Sequence, residues 1–144
     1  MLKDRRGDLL VFVAFILPIT IFIINFTLTY GLGEYAKSTV ITASREAART
    51  YAVKHDVELA KESARYIVQN TLSDKTANFN PDKDIVLTEE GEFAVATVTY
   101  RVPVAVPAMM RLIGVNSIKG NYMPVTSSAR FIKEAIPPGG DQVD

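Results

Sequence analysis

The stretch LLVFVAFILPITIFIINFTLTYGLG, residues 9–33, contains no Asp, Glu, Lys or Arg and lies almost at the N-terminus. As an α-helix rising 1.5 Å per residue, it would be about 37 Å long, which exceeds the roughly 30 Å of hydrocarbon in a bilayer. The stretch therefore predicts a helix that is inserted in a membrane at some stage.

Three interpretations of this segment compete. A cleaved signal peptide has an apolar core of about 7 to 15 residues and ends at a small-residue site, whereas this run is longer and leads into YGLGEY at residues 30–35. A buried helix of a soluble core needs more surrounding chain than one domain of 144 residues supplies. We therefore predict a retained membrane anchor over residues 9–33.

Flanking charges predict the orientation of this anchor. Lys3, Arg5 and Arg6 precede the apolar run, whereas Glu34 follows it before the first base, Lys37. Because cytoplasmic flanks carry the excess of Lys and Arg, the N-terminus is expected in the cytoplasm and the rest of the chain outside. The predicted location is the cell membrane, with a single pass and an extracytoplasmic head.

Several residues inside the span suggest helix contacts. Pro18 removes one backbone hydrogen bond and should bend the helix. Asn25, Gly31 and Gly33 have the polar or small side chains that favour helix association in lipid. Alternatively, the threonines bond back to their own helix and Asn25 has no partner role. The sequence leaves both interpretations open.

Beyond the span the helical pattern continues with a different character. Residues Ala36, Val40, Ala43, Ala47 and Tyr51 recur at helical spacing, which predicts an amphipathic continuation to about residue 53. Asp56 is a suitable N-cap for a second helix, which we expect to pack on the domain that follows. The polar stretch 73–81 is expected to be a loop.

From residue 85 the period changes from 3.6 to 2. We predict a strand over 85–88, a turn over 89–91, a long strand over 92–104, a short helix over 107–113 and a third strand over 117–132. Pro124 in the third strand predicts an edge position or a bulge. The fold class is α+β, with two helices and a small three-stranded antiparallel sheet.

The predicted organisation has five parts. They are a short basic cytoplasmic segment (1–8), a membrane or filament-core helix (9–33), its amphipathic continuation (34–53), an extracellular α+β head (57–134) and an extended tail (135–144).

Composition argues against several functions. Acids and bases balance at 16 each, which leaves no basic field for nucleic acid, and there is no cysteine for thiolate chemistry or disulfides. The single histidine, His55, cannot form a His pair for a metal. We predict no enzyme activity, cofactor or small-molecule substrate.

One loop imitates the spacing of oxygen ligands in a calcium loop. Its weak candidates are Asn78, Asn80, Asp82, Asp84 and Glu89. Lys83 stands where the sharp turn requires glycine, and strands rather than a helix are expected to follow, so an Asx-rich turn is the alternative.

Four motifs follow one another along the chain in an order that resembles the TadE-like family of tight-adherence pilus systems. They are Arg5-Arg6-Gly7 before an apolar run with Leu17-Pro18, the pattern AxREAAR at residues 43–49, VTYRVPV at 98–104, and Ala129-Arg130-Phe131. The resemblance covers nearly the whole chain, although the first 50 residues carry its most specific part.

The resemblance implies a pilin-like or pseudopilin subunit with a cytoplasmic tip, a membrane helix and an extracellular α+β head. It also implies pilus assembly machinery as a partner and prepilin processing after a glycine, here Gly7 followed by Asp8. The pilin-type signal has a glutamate at the fifth position after the cut, where this chain has Phe12. That difference argues against cleavage at Gly7.

The leading hypothesis is a structural subunit that polymerises into a helical cell-surface filament. Residues 9–53 would form the filament core, and an assembly helix would use Phe12, Pro18, Asn25, Gly31, Gly33, Ala36, Val40, Ala43, Ala47 and Tyr51. Before assembly its partner would be membrane lipid, and afterwards other copies of the chain. The alternative is a monomeric single-pass adaptor or sensor whose outer head binds a partner.

Overall fold

The computed structural model describes residues 4–72, 79–112, 114 and 116–134 and has an α+β fold. Its elements in chain order are α1 (Asp4–Lys54), α2 (Val57–Thr71), α3 (Pro81–Asp84), β1 (Ile85–Glu90), β2 (Phe93–Pro103), α4 (Pro107–Leu112) and β3 (Tyr122–Ile132). The predicted tail, 135–144, lies outside the described residues, as does most of the predicted loop at 73–81.

Helix α1 combines the two predicted helical segments into one element of 51 residues, about 77 Å long. It is helical through Pro18 and ends where His55 takes a φ of 53°. Asp56 then caps α2 by accepting hydrogen bonds from the backbone N–H groups of Glu58 and Leu59. The predicted joint between the two helices is confirmed.

The sheet is antiparallel in the order β1-β2-β3. Strand β1 pairs with β2 from Ile85 opposite Val98 to Glu90 opposite Phe93, so the turn contains two residues, with Gly91 at φ 62°. Glu89 therefore belongs to a strand and not to the predicted three-residue turn. Pro124 lies on β3, which is an edge strand, so the first of its two predicted positions, an edge or a bulge, is confirmed.

Helix α1 supplies the main cover of the sheet. Its buried face carries alanines and one valine, and small side chains allow β2 and β3 to approach closely. The facing residues of β2 are Ala96, Val98, Tyr100 and Val102, which alternate as predicted. Ser44 of α1 donates a hydrogen bond to Ser127 of β3 over 3.2 Å.

Helix α2 packs mainly on α1, through Ala60, Ala64 and Val68. Its contact with β1 is smaller. Ala64 and Val68 of α2 nevertheless belong to the same hydrophobic core as Ile85, Ala96 and Val98 of the sheet, so α2 packs on the following domain as expected, while the second half of α1 makes the larger contact with the sheet. One face of residues 36–52 belongs to the core of the head, so the predicted amphipathic continuation packs within the head.

The connection between β2 and β3 also differs from the prediction. Helix α4 forms, with Pro107 at its start and Gly114, at φ 83°, after its end. The third strand begins at Tyr122 and not at residue 117, because Gly120 at φ 65° places a turn there. Val104, Met110 and Ile118 form a second small core, against which Met123 packs.

Candidate assembly surface

Over most of its surface, the first half of α1 has no cover from the described residues; Thr29, which is buried, is the main exception. Its large apolar side chains are exposed on every side of the helix, with Phe15 70% exposed and Leu10 69%. The other members of this surface are Leu9, Val11, Phe12, Val13, Ile16, Leu17, Ile19, Ile21, Ile23, Ile24, Phe26, Leu28, Tyr30 and Leu32. We call residues 9–32 the apolar half of α1.

A surface of this size requires a partner. Exposed apolar patches on soluble monomers seldom exceed a few hundred Å², and a bare helix of Ile, Leu and Phe is far larger. The apolar half is long and apolar enough to cross a membrane, and the described part of the chain buries none of its most apolar 18 residues. A core helix of a soluble domain would be enclosed, so that interpretation does not fit this arrangement.

The structure divides the predicted assembly residues between two environments. Phe12 is 63% exposed, and a methyl group added at Gly31 would meet none of the described residues within 4 Å, apart from its chain neighbours and the backbone of its own helix. Ala36, Val40, Ala43 and Ala47, by contrast, are at most 1% exposed and form the hydrophobic core of the head. These four residues cannot contact another copy, and the predicted assembly face is corrected accordingly.

Two further members of the predicted assembly helix have partners within the chain. A Cβ built on Gly33 would lie 2.7 Å from the Met123 Cε, so this glycine permits contact with β3. The Tyr51 hydroxyl donates to the Glu89 carboxylate over 2.7 Å. Gly33 and Tyr51 therefore serve folding of the head, because their neighbours are intramolecular.

Polar side chains in the apolar half behave in two ways. The hydroxyls of Thr20 and Thr27 donate to the carbonyls of Ile16 and Ile23, which confirms the back-bonding interpretation for both. The Asn25 Oδ1 atom is buried and has no hydrogen-bond partner among the described residues. An amide oxygen in this state is costly in an apolar setting, so Asn25 remains a candidate for contact with another helix.

The predicted processing and topology residues lie at the start of α1. Gly7 and Asp8 are exposed and helical, and a methyl group added at Gly7 would meet none of the described residues within 4 Å, apart from its chain neighbours and the backbone of its own helix. Arg5 and Arg6 are also helical, whereas Lys3 lies outside the described residues. Cleavage and orientation both stay predictions.

The calcium candidates have other roles where they are described. Asn80 caps α3 and accepts from the Asp82 backbone N–H, while Asp84, 4% exposed, is held by Arg101 through two hydrogen bonds of 2.7 and 3.1 Å. Glu89 lies on β1, and Asn78 falls outside the described residues. Within the described part of the chain, no three His, Asp or Glu side chains form a cluster that could hold a metal.

A charged cluster marks the end of the head away from the apolar half. Lys133 donates to Glu89 over 2.8 Å, and this bond, followed by the one from Tyr51, lowers the pKa of Glu89 below its ordinary 4.5. The same contact with Glu89 raises the pKa of Tyr51. Arg130 pairs with Glu90, and the Glu134 backbone N–H donates to the Ala52 carbonyl, so the cluster ties the sheet to the end of α1.

Sequence reasoning missed the partners of Gly33 and Asp84. The pairing of Ile85 with Val98 places Asp84 near Arg101 on the neighbouring strand, so a correct hairpin register would have indicated that ion pair. Contact between Gly33 and Met123 joins residues that are distant in sequence, and no local pattern indicates it.

Comparison with known proteins gives no match: no protein-family model, curated protein or solved structure is similar to the chain. The resemblance to the TadE-like family therefore stays a prediction that rests on the quoted motifs.

Proposed function

We propose that the chain is a pilin-like structural subunit, anchored in the membrane before assembly, that builds or initiates an extracellular filament. The observation that carries this proposal is the contrast along α1: the large apolar side chains of residues 9–32 are exposed, while one face of residues 36–52 is buried in a folded head. A helix with this contrast needs lipid first and is well suited to exchange lipid for copies of itself.

The filament core in this proposal consists of the apolar half alone. The buried face of residues 36–52 already packs inside the head and is not available to other copies. In the filament, bundled helices therefore meet through side chains such as Phe12, Phe15 and Ile19. Gly31 offers open space for close helix approach. Repeated head-to-tail contacts whose rotation does not close would give a helical fibre.

The proposed topology follows the flanking charges and the TadE-like resemblance. The N-terminus is cytoplasmic, the head is extracytoplasmic, and pilus assembly machinery extracts the subunit from the membrane. We propose a structural and not a catalytic role. His55 is bonded to the Glu134 carbonyl over 3.1 Å, and among the described residues it has no nucleophile partner.

Chemical cross-linking tests the polymer directly, because the chain has no cysteine of its own. A Phe15→Cys variant should give a ladder of multimers with a bismaleimide in fibres sheared from cells. The matched variant Arg49→Cys is exposed on the second half of α1 and should give far fewer cross-links. Sheared fibres that lack this chain would refute the polymer.

A groove on the head favours the second candidate, a monomeric adaptor or sensor. It lies between α1 and α2, and its apolar lining includes Val53, Leu59, Tyr66 and Ile67. Replacing the apolar residues of 9–30 with leucine separates the two functions, since hydrophobicity is kept and side-chain shape is lost. An adaptor should stay active with this anchor, whereas a polymer should lose its fibres.

A further inference from the structure

The described residues of the connection between β2 and β3 (104–112, 114 and 116–121) lie at the end of the head that faces the apolar half of α1. Three contacts fix this direction: Met123 lies against Gly33, Ser127 bonds Ser44, and Glu134 bonds Ala52. Strand β3 therefore runs along α1 toward Lys54, and the connection before β3 extends toward the membrane anchor.

The connection has a composition suited to lipid. Between Arg101 and Lys119 the only charged residue is Arg111, and the sequence has no Asp or Glu from Phe93 to Ile132. Its inner side chains fill the second small core. Leu112 points away from that core and is 86% exposed, more than any other large apolar side chain in the described residues.

The depth of the connection can be estimated from α1. Thr29 is only 6% exposed, and Asn25 is partly buried, on the face of α1 that carries Gly33. Protein cover thus continues about 6 to 12 Å beyond Gly33 toward the N-terminus, at 1.5 Å per residue. A hydrocarbon layer that begins at Leu9 ends after about 20 residues, close to Thr29.

We propose that the described residues of this connection (104–112, 114 and 116–121) form an interfacial membrane segment that seats the head on the outer leaflet. Leu112 inserts among the acyl chains, while Arg111 and Lys119 lie at the level of the lipid phosphates. This inference rests on the proposed membrane anchor. It makes the lipid surface a second contact of the unassembled subunit, one that must be released when the subunit enters a fibre.

Spin labelling of the full chain in vesicles of phosphatidylcholine and phosphatidylglycerol tests this inference. Single cysteines replace Leu112, Phe15 as the lipid reference, and Leu59 as the aqueous reference, because Leu59 is exposed on α2. For each label, collision with oxygen, which partitions into lipid, is compared with collision with a water-soluble nickel chelate. The oxygen-to-nickel ratio of L112C should exceed that of L59C several-fold and approach that of F15C.

Each other outcome overturns the inference in a distinguishable way. If F15C reports lipid but L112C matches L59C, the anchor stands and the interfacial segment does not. If F15C is also aqueous, the anchor itself fails. If L112C collides with neither reagent, a second copy of the chain covers it. Because Leu112 is exposed, L112C should preserve the fold, and an unchanged thermal melt of the head verifies this.

Discussion

The two halves of α1 form one continuous helix, yet they have opposite relations to the rest of the chain. In the second half, one face consists of small residues that are buried against α2 and the sheet. In the first half, Phe, Ile and Leu surround the helix and remain exposed. Small side chains let neighbouring elements pack closely, whereas the large ones require an environment that the chain does not provide.

This difference separates stability from association. The buried face of residues 36–52 is part of the hydrophobic core of the head, so changes there should unfold it. Changes in residues 9–32 should leave the head intact and alter only what surrounds the helix. The predictions below test this separation, beginning with the largest effect.

Placing a charge on the buried face should unfold the head. Ala43 is fully buried, so Ala43→Asp leaves a carboxylate without a partner and should cost about 3 to 5 kcal/mol. Its neighbour Thr42 is exposed, and Thr42→Asp should change stability by less than about 1 kcal/mol. Chemical denaturation of the two variants measures both. Equal losses would mean that α1 does not pack on the head in this register.

The reciprocal change in the apolar half should spare the head. Ile19→Asp places a charge near the middle of the span and should disfavour membrane insertion by about 3 kcal/mol. Because Ile19 is 54% exposed and outside both hydrophobic cores, head stability should shift by less than about 0.5 kcal/mol. The membrane-retained fraction after carbonate extraction is the measurement, with Ile19→Val as control. If Ile19→Asp destabilises the head, the stability of the head depends on both halves of α1, and the proposed separation is wrong.

Buried and exposed polar residues of the head should also differ in their contribution to stability, although by less than the substitution at Ala43. Asp84 is buried in the head, accepts from the Asn80 backbone N–H over 2.8 Å and pairs with Arg101. Asp84→Ala should therefore cost about 1 to 3 kcal/mol in thermal or chemical denaturation. Asp82→Ala, an exposed change in the same short helix, is the control. If both variants are equally stable, the buried pair contributes no net stability.

Local sequence patterns predicted most of the helices and strands. The predicted bounds were wrong where they depend on more than the local pattern. The uncharged run, the alanine spacing, the Asp56 cap and the alternation in β2 each depend on neighbours in sequence, and each predicted its element. The predicted strand bounds were wrong where a glycine allows a tighter turn. With Gly91 in a two-residue turn, β1 continues to Glu90, and with Gly120 in a turn, β3 begins only at Tyr122. Such shifts depend on turn geometry, which strand periodicity does not encode.

The assembly surface was only partly predictable because the spacing of Ala36, Val40, Ala43 and Ala47 is the same for an internal core and for a helix bundle. Deciding between them requires the sheet to be placed, and that placement depends on contacts such as Ser44 with Ser127. The apolar half carried the clearer signal, since no head of this size can surround it.

The smallest expected effect concerns the charged cluster that ties the sheet to the end of α1. Because the native pKa of Glu89 lies below 4.5, the unfolded chain binds this proton more readily than the folded one. Glu89 thus contributes stability above pH 4.5, and this contribution is lost as the pH falls through the native pKa.

Glu89→Gln should flatten this part of the acid dependence of the melting temperature relative to the unaltered chain. Since Glu89 is solvent-exposed, the difference should be slight and should shrink further in high salt. An identical acid profile in the two proteins would show that the cluster orients the sheet on α1 without stabilising it.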